Sequence, residues 1–150
     1  MEWRRDGFRI TDDLAEMDLQ IVGNLLRETY WAANRSQDTV EKSAPHSFNL
    51  ALFHGADQIG YFRIITDLTT YGYLCDVVIT KHWRGKGLGK WMLECLLSHP
   101  DLRTCRFDLV TKDAQDFYRQ YGFDSHRFEH MVRYAKDYAG GSGSDSATES

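Results

Sequence analysis

Between Leu74 and Met92 the chain passes through three patterns in immediate succession. An apolar run, Leu74-Cys75-Asp76-Val77-Val78-Ile79, gives way after a short polar link to Arg84-Gly85-Lys86-Gly87-Leu88-Gly89-Lys90, and Leu88, Met92, Leu93, Leu96 and Leu97 then recur at helical spacing up to His99-Pro100. This reads as a strand, a tight turn and a helix. Glycines at 85, 87 and 89 allow a sharp turn and, lacking a Cβ, let a ligand approach the backbone closely. The first N–H groups of the helix have no acceptor inside it, and the helix dipole places partial positive charge at the same end. Arg84, Lys86 and Lys90 add formal charge. Together these features describe an anion site suited to phosphate. The spacing matches neither a dinucleotide turn, Gly-x-Gly-x-x-Gly, nor a nucleoside triphosphate turn, Gly-x-x-x-x-Gly-Lys-Ser/Thr.

The rest of the chain supplies a sheet around this unit. Phe8-Arg9-Ile10-Thr11 alternates and is expected to be the first strand. Leu19, Val22, Leu25 and Leu26 mark an amphipathic helix that Asp18 can cap, and residues 38–43 a short second helix stopped by Pro45. Residues 47–53 and 58–65, joined by His54-Gly55-Ala56-Asp57, read as a hairpin whose second strand pairs in turn with the organising strand. Residues 105–111 alternate and must run parallel to that strand if the intervening helix is a crossover. Asp113 can cap a further helix ending at Gly122, and residues 128–134 are expected to close the sheet. From Ala139 the composition falls to small and polar residues, so a single domain over residues 1–138 with a disordered Gly/Ser-rich tail over 139–150 is expected.

Composition excludes several classes of function. The 150 residues suffice for one cored domain, and no apolar run approaches the roughly 20 residues of a membrane span. The first six residues lack the apolar stretch of a secretory signal, and Cys75, Cys95 and Cys105 show no Cys-x-x-Cys spacing. A soluble cytoplasmic protein with reduced thiols, no metal and no membrane partner is therefore expected. The net charge of −4 argues against nucleic acid as a partner. Asp145 and Glu149 lie in the tail, which leaves 20 acidic against 18 basic residues in the body and little long-range attraction for any charged partner.

Arg84-Gly85-Lys86-Gly87-Leu88-Gly89 resembles the central Arg/Gln-x-x-Gly-x-Gly/Ala motif of the GNAT superfamily of N-acetyltransferases. Ala114-Gln115-Asp116-Phe117-Tyr118-Arg119-Gln120-Tyr121-Gly122-Phe123 is similar to that family's Ala-x-x-Phe-Tyr-x-x-x-Gly-Phe segment, at the right distance downstream. The likeness spans roughly residues 8–135. It implies a mixed α/β fold: a mostly antiparallel, twisted sheet of six to seven strands with a splayed parallel pair in the middle, flanked by about four helices. It also implies an N-acetyltransferase using acetyl-CoA (coenzyme A) as cofactor, with a small-molecule primary amine as acceptor, attacked directly in a ternary complex. Pairing of two copies is left open.

By the same resemblance, Arg84, Gly85, Lys86, Gly87, Leu88, Gly89 and Lys90 would hold the diphosphate. The backbone of Val77, Val78 and Ile79, opposite a strand ending at Thr111 and near Phe117, would hold the pantetheine arm. Tyr118 would protonate the leaving thiolate. Tyr30, Trp31 and Tyr71 would line the acceptor pocket, although core aromatics between two helices explain Tyr30 and Trp31 equally well. Many relatives carry Glu where this chain has Cys75, and Asn where it has Thr111. The base is then Asp76, a water bound to Asp76, or no residue at all. Because neighbouring strand residues face opposite sides, Cys75 and Asp76 share a face only across a bulge, and Asp76 in an apolar strand must be paired or functional. Two other readings fit the same residues: an acyl-CoA sensor without turnover, and an N-acetyltransferase acting on a protein or peptide.

Overall fold

The computed structural model describes residues 1–136, so the proposed tail lies outside the described residues. Six strands form one sheet in chain order: β1 (Glu2–Arg5), β2 (Phe8–Thr11), β3 (Phe48–His54), β4 (Asp57–Thr66), β5 (Tyr71–Ile79) and β6 (Arg106–Asp108). Neighbours are antiparallel except β5 and β6, which are parallel because α3 (Leu88–Leu97) carries the chain between them. The mixed sheet, with α1 (Leu19–Arg27), α2 (Gln37–Ser43), α3 and α4 (Gln115–Arg119), is the α/β architecture the family resemblance implies.

The sheet separates two cores. On one face Ile10, Leu50, Leu52, Phe62, Ile64 and Leu74 meet Leu88, Met92, Leu93 and Leu96 of α3 and Tyr118 of α4. On the other, Ala51, Phe53, Tyr61 and Val78 meet Val22, Leu25 and Leu26 of α1 and Val40 of α2. Leu50, Leu52, Met92 and Leu96 are fully buried, and each such side chain contributes on the order of 2–3 kcal/mol of hydrophobic stabilisation. Asp18 caps α1, accepting from Gln20 N at 2.9 Å and Ile21 N at 3.3 Å.

Four expectations are corrected. A strand, β1, precedes Phe8: Asp6 and Gly7 take φ of 50° and 84° and turn the chain into a two-residue hairpin. The parallel strand β6 stops at Asp108 rather than reaching Thr111. Residues 128–134 form no strand, and Phe128, Met131 and Val132 are exposed, so among the described residues the parallel pair stands at the sheet's edge. Asp113 does not cap α4; Thr111 Oγ1 accepts the Ala114 N–H instead, at 3.0 Å.

Strand β5 carries an irregularity near the end of its pairing with β6. Arg63 pairs with Asp76 but Ile64 pairs with Leu74, so Cys75 is an extra residue in the ladder. The bulge lets Leu74, Val77 and Ile79 face the α3 core while Asp76 and Val78 face α1 and α2. Pairing between β5 and β6 covers only Tyr71–Tyr73 and ends just before this bulge.

Candidate active site

The turn after β5 is held from behind. Thr80 N–H donates to Ile59 O at 2.8 Å, Trp83 N–H to Thr80 O at 2.9 Å, and the Arg84 Nε–H to Ile79 O at 2.8 Å. Gly85 and Gly87 then adopt φ of 77° and 76°, in the left-handed region that glycine enters without a steric penalty. A Cβ at either position would meet nothing within 4 Å, so the space above the turn is open. Gly87 occupies the N-cap position of α3 and no side chain caps the helix, which leaves its first N–H groups available. Arg84, Lys86 and Lys90 are exposed around it, whereas the Leu88 side chain is buried. Gly89 allows close packing of α3 on β5, its Cβ position lying 3.5 Å from Ile79 Cδ1.

Beyond Tyr73 the edge of β5 that faces β6 has no strand partner among the described residues, and this free edge includes Val77, Val78 and Ile79. The chain leaving β6 instead borders a cleft of about 670 Å³. Tyr71, Tyr73, Thr111 and Tyr118 line it, with Phe123 and the segment through Met131 on the far side. Tyr118 is 2% exposed and is wedged between Phe117 and Phe123, with ring centroids at 5.1 and 5.6 Å. The Tyr71 hydroxyl donates to Asp108 Oδ2 at 3.1 Å, and Arg106 donates to both Asp108 oxygens. These hydrogen bonds, Arg106's foremost, hold the Asp108 carboxyl below its ordinary range; burial, then the bond to Asp108, raises the Tyr71 phenol. Of the sequence-predicted residues, Tyr71, Thr111 and Tyr118 therefore share this cleft; the glycine turn and residues 77–79 lie outside its lining.

Tyr30 and Trp31 sit in the loop between α1 and α2, edge to face at 5.3 Å, and take different roles. Tyr30 is exposed, and Lys112 Nζ lies 5.4 Å from its ring, which brings the loop up to the β6–α4 connection beside Thr111. Trp31 packs against the core under α1 and α2.

Asp76 is fully buried. Arg35 Nη1 donates to both of its oxygens at 2.7 Å, and Arg63 Nε donates to Oδ2 at 2.7 Å. Such a carboxylate is a poor candidate for taking a substrate proton, because both oxygens are engaged by permanently charged donors. Cys75 is diverted as well: its thiol donates to Arg63 O at 3.1 Å, and burial, reinforced by the Asp76 charge, pushes it up to about 12. Sequence reasoning missed Arg35 and Arg63. Arg63 was within reach, since a buried Asp76 demands a partner and the neighbouring strand supplies one; Arg35 lies 41 residues away in a loop and left no signal.

An open glycine turn at a helix start, a strand edge freed on one side and a tyrosine in the helix that follows a short parallel pair are the features expected of an acyl-group transferase. The sequence matches the family model of the acetyltransferase (GNAT) domain over residues 46–125, and the chain belongs to the GNAT family. It is similar to a crystal structure from Xanthomonas campestris described as a GNAT-family acetyltransferase, with 31% identity, TM-score 0.81 and coverage of 85% of this chain and 93% of that one. A curated protein from Gibberella zeae, also described as an acetyltransferase, is 27% identical over 140 residues, 77% of this chain and 78% of its own length. Glucosamine-6-phosphate N-acetyltransferase from Arabidopsis thaliana shares the fold at TM-score 0.58 and 16% identity, covering 86% and 99% of the two chains.

Proposed function

We propose that this chain is an acetyl-CoA-dependent N-acetyltransferase that acts on the primary amine of a small molecule by direct attack in a ternary complex. The observation that carries this reading is the turn at 84–90, whose two left-handed glycines and uncapped helix start leave N–H donors and three exposed cations facing open space. A diphosphate fits those donors. The free edge at Val77, Val78 and Ile79 fits the amides of a pantetheine arm, which would pair with it as an added strand.

Bound there, the coenzyme supplies an acetyl group activated as a thioester. Tyr118, at the parting of β5 and β6, holds a phenolic proton and donates it to the departing thiolate. Phe117 and Phe123 fix the Tyr118 ring, so its hydroxyl is oriented in advance. Tyr30 and Tyr71 border the acceptor's approach, with Trp31 supporting Tyr30 from the core. Asp76 holds Arg35 and Arg63 rather than serving as the base, and the amine loses its proton to solvent. The three free thiols suit a reducing compartment, and the cytoplasm is the proposed location.

One observation favours the sensor reading: both β5 positions that could hold a base, Cys75 and Asp76, are committed to other partners. Acetyl-CoA titration calorimetry combined with thiol release across a panel of amines separates the two. In Tyr118→Phe, turnover should fall by about 10²–10⁴-fold with acetyl-CoA affinity unchanged. Equal turnover would remove the acid role, and absence of acetyl-CoA binding would remove the enzyme reading.

A further inference from the structure

The α1/α2 face of the sheet holds an unbalanced charge. Arg35 and Arg63 converge on one carboxylate, Asp76, so the cluster carries one more positive than negative charge in a largely buried setting. A third arginine stands at the same corner. Arg27 Nη1 donates to Arg35 O at 3.2 Å, and Nη2 to Asn24 Oδ1 and Gln37 Oε1, all neutral acceptors. Arg63 Nη1 is likewise spent on a neutral group, Ser47 Oγ at 3.2 Å. Among the described residues no second carboxylate pairs with any of the three. Burying an unmatched guanidinium is costly, and a fold that keeps one gains when an anion arrives.

Donors remain for that anion. Arg35 Nε and Nη2, and Arg63 Nη2, have no hydrogen-bond partner among the described residues. The carboxylate is sealed, at 0% exposure, while the Arg35 and Arg63 side chains keep 10% and 12%. The guanidinium groups therefore lie between Asp76 and the protein surface, with unused donors. A forked pair of this kind matches the oxygens of a carboxylate or a phosphate. Its position is also informative. Asp76 immediately precedes the free edge at Val77, and Arg35 ends the loop that carries Tyr30 and Trp31.

We propose that Arg35 and Arg63 form a receptor for an acidic group, carboxylate or phosphate, carried by the acceptor amine. This deepens the acetyltransferase reading and rests on it. Asp76 is then a positioning residue: it fixes both guanidinium planes from below, and the substrate's acid occupies their free side. The amine end of the same molecule is directed toward the donor edge.

Matched acceptors test this: glycine against glycinamide, and phosphoethanolamine against ethanolamine, each in a thiol-release assay with saturating acetyl-CoA. The acid-bearing member of at least one pair should show a KM about tenfold lower or better, and which pair responds distinguishes carboxylate from phosphate. Arg35→Gln should raise that KM about tenfold or more and narrow the gap between the acid-bearing and the neutral member to within about twofold. Arg63→Lys, a milder change, should weaken the same preference. Thermal melts and acetyl-CoA titration of each variant establish that it folds and binds the donor. An independent readout uses the unmodified protein. Its arginine Nε–H resonances are followed as acetate or inorganic phosphate is added against chloride at constant ionic strength, and saturable shifts are expected at Arg35 and Arg63. Equal KM values within both pairs, or resonances that respond no more to acetate and phosphate than to chloride, overturn the proposal. Failure to bind acetyl-CoA would sink the acetyltransferase reading, and the anion titration would still report on the receptor.

Discussion

The proposed donor side and the proposed acceptor side of this molecule are built by different means. On the donor side the contacts come from the main chain: two left-handed glycines, the unspent N–H groups at the start of α3, and a strand edge freed by the parting of β5 and β6. On the acceptor side they come from side chains drawn together across the sequence, as when Arg35 and Arg63 reach Asp76 from separations of 41 and 13 residues. Backbone sites depend on conformation and tolerate side-chain change; side-chain sites depend on mutual compensation of charge. The first leaves a local pattern in the sequence, the second does not.

Breaking the charge compensation should have the larger effect on folding. In Asp76→Ala, two largely buried guanidinium groups lose their carboxylate, and a destabilisation of about 3–5 kcal/mol is expected. In a chain of this size that corresponds to a fall in Tm of roughly 6–20 °C. A differential scanning measurement with a shift under about 2 °C would show that the cluster is not the brace described here.

The backbone side should answer to conformation alone. Gly87→Val forces a β-branched residue to a φ of 76° where no atom crowds the Cβ, so a cost of about 1–3 kcal/mol arises from strain rather than collision. Acetyl-CoA affinity, measured by titration, should fall at least about tenfold as the N–H groups turn away. A variant that folds normally and binds the donor as well as the parent would show that the turn's shape is not what grips it.

The smallest effect sharpens the contrast from the side of pH. Burial, then the Asp76 charge, raises Cys75 from about 9 to about 12, so the folded state favours the neutral thiol. That contribution is full below the unfolded value, where both states hold the proton. It is lost as pH rises through the folded value, because the unfolded thiol ionises first. At pH 8 a maleimide should label the half-buried Cys105 and spare Cys75, as read by peptide mass; prompt labelling of Cys75 in folded protein would mean that the bulge opens readily.

What was legible in the sequence follows the same division. The turn could be read because glycines at 85 and 87 are what a left-handed backbone requires, and the β3–β4 hairpin because apolar runs flank His54-Gly55-Ala56-Asp57. Strand β1 was missed because only Trp3 of its four residues is half-buried, too little for any alternation to register. Residues 128–134 were expected to close the sheet, yet β6 offers only three residues of ladder. Tyr118 came from a local motif, whereas the loop bearing Arg35 carries no period at all. The bulge at Cys75 was foreseen as a condition for Cys75 and Asp76 to share a face. It serves instead to let Leu74 and Asp76 face opposite cores although they are two residues apart.

Removing Cys75 would leave every neighbouring side chain on the side of the sheet it already occupies, because the residue is surplus to the alternation. The strand would nevertheless straighten, and its rim could zip onward against the chain that follows β6. A one-residue deletion there is thus expected to narrow the opening beside β5 without replacing any side chain that lines it.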